Sequence, residues 1–278
     1  MLKENITRIL GIILLVVSMI THKYFGISVA FIVLAGLVML IYGKKFSQKQ
    51  FKFFIASFKQ INKRYIFIVL YDLVFIAIFF LVIPLFSKIF MSKLQNVTTL
   101  EGAASVLIML LAYLATVTII LLLSYSVSRG LIWSMILKKK FTAPFFKKFL
   151  LLNFLWWLIL ALPFLIVLGA KQEYLFYFIA IIAIIYIHLT SIMHYDFTKN
   201  QRIGKAMKNA FKLTYTNFKS FLLPYAYVTL VYFILLQVFW IVPQTEKYMF
   251  FASVLFVVFF LAWFRLYLSQ ILKKITSV

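Results

Sequence analysis

Long runs of apolar residues, separated by short basic segments, are the dominant pattern along this chain. A helix needs about 20 apolar residues to cross the hydrocarbon core of a bilayer. Six runs reach this length, and two shorter runs precede them. The predicted spans are Ile6–Ile20, Ile27–Tyr42, Tyr65–Phe86, Ala104–Leu137, Phe149–Ala170, Leu175–Phe197, Phe221–Val242 and Met249–Gln270. The pattern therefore predicts an all-α fold, a polytopic transmembrane helical bundle of about eight spans.

The first two apolar runs are short, and only residues 21–26 separate them. The first run alone could be the apolar core of a signal peptide, but no small-residue cleavage site follows it, and the second run begins within a few residues. We therefore expect a retained N-terminal transmembrane hairpin over residues 1–45. A six-span membrane domain is expected over residues 46–278.

Composition agrees with lipid, rather than water, as the surroundings of most of this chain. Hydrophobic residues make up 65% and charged residues 13%, whereas soluble domains are about half apolar and a quarter charged. There is no cysteine, which excludes disulfides and thiol chemistry. No motif indicates a cofactor.

Basic residues are concentrated in alternate connecting segments. If all eight runs cross the bilayer, 24 of the 29 Lys and Arg residues lie on the side of the N-terminus. Because cytoplasmic loops are enriched in Lys and Arg, we expect both termini to be cytoplasmic in a multi-pass protein of the plasma membrane. The net charge of +23 then has anionic lipid headgroups as its expected partner, and no nucleic acid is expected. A protein partner stays unknown.

Two of the basic segments, residues 46–64 and 203–219, have the spacing of amphipathic helices that lie on the membrane surface. Apolar residues recur on one face and lysines on another. One interpretation is that these helices are interfacial connectors; the other is that they form a docking surface for a lipid or a cytoplasmic partner. The candidate membrane-surface residues are Lys45, Lys49, Lys52, Lys59, Lys63, Lys205, Lys208, Lys212 and Lys219.

Each basic segment leads into a pair of predicted spans, and the shorter segment Lys138–Phe149 occupies the same place before another pair. The six-span domain is thus predicted to consist of three helical-pair units. Within Ile203–Leu223 a short motif combines a basic helix with Asn-Phe before a span. Its residues are Ala206, Phe211, Leu213, Asn217 and Phe218.

This motif resembles the membrane domain that is attached to some glycerophosphodiester phosphodiesterases and occurs in related six-span integral membrane proteins of unknown function. The resemblance covers roughly residues 46 to 270 and leaves out the N-terminal hairpin. It implies an integral membrane module without catalysis of its own, because the phosphodiesterase barrel has no counterpart in this sequence.

Three charged residues, Asp72, Arg129 and Arg265, interrupt predicted spans. Each lies about 12 to 13 Å along its helix from a basic residue at the predicted cytoplasmic end, at 1.5 Å per residue. Burying a charge in a membrane is costly, so a shared depth suggests pairing, and Asp72 with Arg129 is the first pair to test. Such a pair could simply pin the bundle. Alternatively, the cluster could line a polar cavity that binds an anion or a lipid headgroup.

Other polar residues give weaker hypotheses. His194 and Asp196 are two residues apart on one predicted helix and therefore point to different faces, which is a poor arrangement for a metal site. Ser126 and its neighbours have no histidine in a sequence relation typical of a hydrolase. We therefore expect a non-catalytic integral membrane protein that binds lipid or a partner, and not an enzyme. The alternative is a transporter or channel that uses the polar layer around Asp72, Arg129 and Arg265.

Overall fold

A computed structural model of the protein describes residues 10–12, 33, 35–41, 52–59, 61–94, 100–168, 172–239 and 246–276. Every regular element within these ranges is an α-helix, which confirms the predicted all-α class for this part of the chain. Residues 52–58 form a short helical segment. The longer helices are α1 (Lys63–Leu94), α2 (Leu100–Ile136), α3 (Ala143–Leu168), α4 (Gln172–Asn200), α5 (Ile203–Thr216), α6 (Phe218–Phe239) and α7 (Glu246–Ile275).

Four of these helices, α1, α2, α6 and α7, are long and apolar enough to cross a membrane. Their length and composition indicate a membrane protein. Helix α3 contains residues 149–168 of the run predicted over residues 149–170, and α4 contains the run predicted over residues 175–197. The described residues thus provide four candidate spans, and the expected count of about eight is not supported by them.

Local side-chain chemistry explains where several helices begin and end. Asn62 caps the start of α1, because its side-chain oxygen accepts a hydrogen bond of 2.9 Å from the backbone N–H of Arg64. Thr142 stands in the same position before α3. The end of α2 is closed by Lys138 in the left-handed region (φ 55°), while the N–H of Lys139 bonds the carbonyl of Ser134 at 2.8 Å.

The segment predicted as one amphipathic helix over residues 203–219 is divided in two. Helix α5 ends at Thr216 and α6 begins at Phe218. The side-chain amide of Asn217 donates to the Thr216 hydroxyl at 2.9 Å, and the Asn217 carbonyl accepts the N–H of Ser220 at 2.8 Å. Such local bonds compete with helical hydrogen bonds, which accounts for the break.

Only short helical pieces of the predicted N-terminal hairpin are among the described residues. At Gly11 a Cβ would lie 2.8 Å from the carbonyl oxygen of Gly36 and 3.0 Å from the Cβ of Met39. The two pieces therefore approach backbone to backbone, as small residues allow between membrane helices. The rest of the hairpin, with Lys45 and Lys49, lies outside the described residues, so the predicted domain division near residue 45 stays a prediction.

The chain divides into two compact units, and each is described by itself. Residues 70–210 form one unit, which we call the central unit; residues 1–69 and 211–278 form the other, the terminal unit. In the central unit α2, α3 and α4 pack on one another around the buried side chains of Trp133, Phe145 and Phe149. Gly130 allows the ring of Phe141 to pack on α2, because a Cβ would lie 2.6 Å from its Cε2 atom.

In the terminal unit α6 packs on α7, and stacked rings join both helices to the 52–58 segment. The ring of Phe54 stacks on Tyr227 with centroids 4.8 Å apart, and Trp263 stacks on Tyr267 at 5.5 Å. The ring of Phe58 stacks on that of Trp263, with centroids 5.3 Å apart. The core of this unit is therefore largely aromatic.

Candidate functional site

The central unit contains an ion pair between Asp72 on α1 and Arg129 on α2, as the sequence predicts. Asp72 is only 2% exposed, and its Oδ1 accepts a hydrogen bond from Nη1 of Arg129. The guanidinium also lies 5.2 Å from the ring centroid of Tyr125 and 5.6 Å from that of Phe75. Aromatic faces attract a cation, so the arginine is surrounded by one opposite charge and two π-systems.

The third predicted member, Arg265, belongs to the terminal unit, where α7 is buried from Ala262 to Ser269. Arg265 is itself 7% exposed. Asp72 and Arg129 belong to the central unit. The structure thus contains the predicted pair of Asp72 and Arg129. The predicted layer that adds Arg265 to this pair stays a prediction.

A second set of buried polar contacts joins α2, α3 and α4. The Nδ2 of Asn153 donates to the hydroxyl of Ser126 at 3.0 Å, and its Oδ1 lies 2.7 Å from Nε2 of His194. Because Oδ1 is an acceptor, Nε2 must carry the proton in this arrangement. The imidazole packs against Phe149 at 4.7 Å between ring centroids and against Tyr125 at 6.0 Å.

Tyr125 connects this set to the ion pair. Its ring lies beside the guanidinium of Arg129, and its hydroxyl shares a hydrogen bond with Tyr186 on α4. The hydroxyl of Tyr186 also bonds Thr190, which in turn accepts a hydrogen bond of 2.7 Å from Nε1 of Trp156. Polar contacts thus extend from α1 through α2 and α4 to α3.

We call these nine side chains the buried polar network. They are Asp72, Tyr125, Ser126, Arg129, Asn153, Trp156, Tyr186, Thr190 and His194. Because each of these polar groups has a partner within the network, the network fixes how four helices are placed. Ser126 accepts its hydrogen bond from an amide and His194 bonds the same amide, so neither arrangement activates a nucleophile.

Asp196 forms a separate polar contact at the end of α4. Its Oδ1 accepts a hydrogen bond of 3.0 Å from Asn200, and its Oδ2 accepts one of 3.2 Å from Asn209 on α5. His194 and Asp196 therefore point to different partners, as their spacing predicts. The connection between α4 and α5 is bridged by this carboxylate, with Gln201 in the left-handed region at φ 53°.

The candidate membrane-surface lysines on α5 and at the start of α6 are all exposed: Lys205, Lys208, Lys212 and Lys219. Lys52, Lys59 and Lys63 are exposed as well. The apolar and aromatic residues of this segment separate into two sets. Ala206 and Ala210 are buried, whereas Phe211 is 50% exposed. Tyr215 is 88% exposed and Phe218 is 59% exposed.

Sequence reasoning did not single out Asn153, Tyr186 or Thr190. Asn153 stands alone between leucine, phenylalanine and tryptophan residues, and an isolated amide within an apolar run is the sign that could have identified it. Tyr186 and Thr190 are four residues apart and share one helix face, but tyrosine and threonine are common in membrane helices for other reasons.

Comparison with protein-family models, curated proteins and solved structures finds no match to this chain. No family is shown. The resemblance to the membrane domain of glycerophosphodiester phosphodiesterases therefore stays a prediction, and the function must be argued from the residues themselves.

Proposed function

We propose that this protein is a non-catalytic, multi-pass membrane module that binds anionic phospholipid headgroups at the cytoplasmic surface. The proposal includes eight spans, cytoplasmic termini and residence in the plasma membrane, all of which derive from the sequence pattern. The proposal rests on the exposed surface of α5 and of the first turn of α6. Exposed lysines and exposed aromatic side chains occur together there.

The physical argument concerns what such a surface binds. Alanines face the protein on α5, so the helix is held on the bundle while its aromatic and basic side chains remain outside. Aromatic rings favour the boundary between acyl chains and headgroups. A lysine close to an anionic membrane surface is attracted by about 1 kcal/mol. Together, Phe211, Tyr215 and Phe218 supply the apolar contact and the lysines supply the charge.

Lipid analysis of the purified full-length chain tests this proposal. The variant carries Gln at Lys205, Lys208, Lys212 and Lys219, and the matched control carries Arg at the same positions. We expect the wild-type chain and the Arg control to retain anionic lipids in preference to phosphatidylcholine after reconstitution in mixed bilayers. The Gln variant should lose most of that preference. Equal enrichment in all three proteins would contradict the proposal.

The buried polar network favours a second candidate function, transport. Ionisable residues within spans often mark the path of a solute, and Asp72 with Arg129 lies among contacts from four helices. A transporter needs a water-accessible path to such a site. A closed membrane module needs no water-accessible path.

The absence of native cysteine makes this alternative directly testable. Ser126→Cys places a thiol within the network, and Thr216→Cys places one at an exposed control position on α5. A charged, membrane-impermeant thiol reagent should modify only the control if the protein is a closed module. Modification of both positions in the folded protein would favour transport.

A further inference from the structure

The connection between α2 and α3, in the central unit, carries a second group of exposed lysines. Helix α2 is one of the four candidate spans and ends at Ile136, so the group begins directly after a span. Clusters of basic residues next to the cytoplasmic end of a span are typical of sites for anionic lipid headgroups. We call this group the turn lysines; they are Lys138, Lys139, Lys140, Lys147 and Lys148.

Hydrogen bonds hold the backbone of this connection in one conformation. The N–H of Lys138 bonds the carbonyl of Met135 at 3.3 Å, and the N–H of Lys139 bonds the carbonyl of Ser134 at 2.8 Å. These two bonds form a Schellman motif at the end of α2. Thr142 then caps the start of α3. The turn lysines therefore have fixed backbone positions, and a ligand that binds them does not have to order the backbone.

Lys138 occupies a backbone position at which glycine is the usual residue. Its φ of 55° lies in the left-handed region, which a residue with a Cβ atom enters at an energetic cost. A glycine would avoid this cost but would carry no charge. The lysine at this position is therefore better explained by what its charge binds than by the stability of the turn.

An exposed apolar stripe continues from the turn lysines along α3. Leu151, Phe154 and Leu158 follow Lys147 by four, seven and eleven residues, so the four side chains share one helix face. The three apolar side chains are 48%, 47% and 53% exposed, in that order. A basic end followed by an apolar stripe complements a phospholipid, which joins an anionic headgroup to acyl chains.

The carboxylates of the central unit do not neutralise this basic group. Among the described residues, no salt bridge involves a turn lysine. Asp72 is paired within the buried polar network, and Asp196 accepts hydrogen bonds from two asparagines. Glu101 and Glu173 belong to the first turns of α2 and α4, and Glu101 is about 55 Å along α2 from Lys138 at 1.5 Å per residue. The positive charge of the turn thus remains for a ligand from outside the chain.

We infer that the turn lysines and the stripe on α3 form a binding site for one phospholipid that carries two phosphate groups. The lysines fall into two sets, one directly after α2 and one on the first turns of α3, and each set complements one phosphate. The inference rests on the proposed function, because it needs α3 to be a span with this turn at the headgroup layer. It deepens that function by naming a second site and the class of headgroup that this site selects.

The test measures how much lipid stays bound to the full-length chain, by native mass spectrometry after release from nanodiscs. The nanodiscs contain phosphatidylcholine with either cardiolipin, which has two phosphates, or twice as much phosphatidylglycerol, which has one. Wild-type chain and the α5 Gln variant described above are both measured, since lipid held by α5 is absent from the variant. In both, we expect cardiolipin to be retained about tenfold more strongly than phosphatidylglycerol. Equal retention of the two lipids would overturn the inference.

A soluble competitor distinguishes a lipid from a free anion. Inorganic pyrophosphate also has two phosphates, but it has no acyl chain for the stripe on α3. We expect added pyrophosphate to leave the bound cardiolipin in place. Displacement of cardiolipin by pyrophosphate would overturn the assignment to a lipid.

Two single variants locate the site. Lys147→Gln removes the charge at the start of the stripe, and Lys138→Gly removes a charge while it gives the left-handed position its usual residue. Each should weaken the retention of cardiolipin about fivefold, the factor for one lysine close to anionic headgroups. Gln201→Gly is the matched control, because Gln201 also lies in the left-handed region, at φ 53°, and carries no charge. The control should retain cardiolipin like the wild-type chain.

Thermal unfolding in phosphatidylcholine alone separates a ligand contact from a structural role. Lys138→Gly should unfold at the same temperature as the wild-type chain or at a higher one, because glycine enters the left-handed region without strain. If its Tm falls instead, Lys147→Gln, at an exposed position on α3, decides the question alone.

The inference and the proposed function fail in different ways. If Lys147→Gln and Lys138→Gly both retain cardiolipin like the wild-type chain, the inference is overturned, even when the α5 Gln variant loses its lipid preference. The proposed function fails if the α5 Gln variant keeps the wild-type preference for phosphatidylglycerol over phosphatidylcholine, whatever the two single variants show.

Discussion

The central and terminal units both bury aromatic side chains, but they differ in the polar contacts that join their helices. In the central unit, an ion pair and a chain of hydrogen bonds join four helices, and each polar group of the network has a partner. In the terminal unit, stacked rings hold the 52–58 segment against α6 and α7.

Because of this difference, we expect the two units to respond differently to substitution. Hydrogen bonds and ion pairs are directional, so removal of one partner leaves the other group buried and unsatisfied. Ring stacking tolerates a change of ring if the volume is kept. We therefore expect polar substitutions to be costly in the central unit and aromatic exchanges to be mild in the terminal unit.

The largest effect is expected at the ion pair. Asp72→Ala leaves the guanidinium of Arg129 buried without its counter-charge, which should lower the free energy of unfolding by about 3 to 5 kcal/mol. The double variant Asp72→Ala with Arg129→Leu should regain much of this loss. Thermal unfolding in one detergent measures all four members of the cycle. A double variant whose loss equals the sum of the losses of the two single variants would show that the pair is not coupled.

A smaller loss is expected at Asn153, which bridges Ser126 and His194. Asn153→Leu keeps the volume but removes both hydrogen bonds, and the expected cost is about 1 to 3 kcal/mol. Ser126→Ala removes one of the two bonds and serves as the graded comparison. If the two variants unfold at the same temperature, the bond to His194 contributes nothing to the stability of the central unit.

In the terminal unit, Trp263→Phe tests whether stacking or hydrogen bonding dominates. The indole N–H donates to the hydroxyl of Ser57 at 3.0 Å, and that bond is lost, whereas a ring remains between Phe58 and Tyr267. We expect a loss of about 1 kcal/mol. Trp263→Ala should cost several times more. Similar Tm values for the two variants would remove the contrast between the units.

The smallest effect on stability is expected at the exposed surface of α5. Lys212→Gln should change the free energy of unfolding by no more than about 0.5 kcal/mol, as for most surface substitutions. Its retention of anionic lipid should nevertheless fall measurably, and the fall should diminish at high salt because exposed charges are screened. A variant that loses stability but keeps lipid binding would assign Lys212 a structural role.

The positions of the long helices could be predicted well from the sequence because each of them carries one long apolar run. The pairing of Asp72 with Arg129 followed from their similar depth on consecutive helices. The break at Asn217 could not be predicted in the same way, because the apolar spacing continues through it. Ala206 and Ala210 also share that spacing with Phe211, and periodicity alone does not separate a buried face of a helix from an exposed one.

The contacts of Asn153, Tyr186 and Thr190 depend on which helices are neighbours. No local sequence pattern predicts which helices pack together. Arg265 illustrates the same lack of information about which helices are neighbours. Its depth along α7 matches that of the pair, yet equal depth does not determine that three helices present their charges to one another. The apolar runs of the sequence predict about eight spans, whereas the described helices provide four candidate spans.

The carboxylate of Asp196 has a consequence for how this protein tolerates changes of length. It bonds Asn200 before the connection and Asn209 after it, and only Gln201 and Arg202 lie between the two helices. One inserted residue would rotate the following helix by about 100°, at 3.6 residues per turn. Asn209 would then turn away from Asp196, and the row of lysines behind it would face a different direction. Related chains should therefore vary in the sequence of this junction far more readily than in its number of residues.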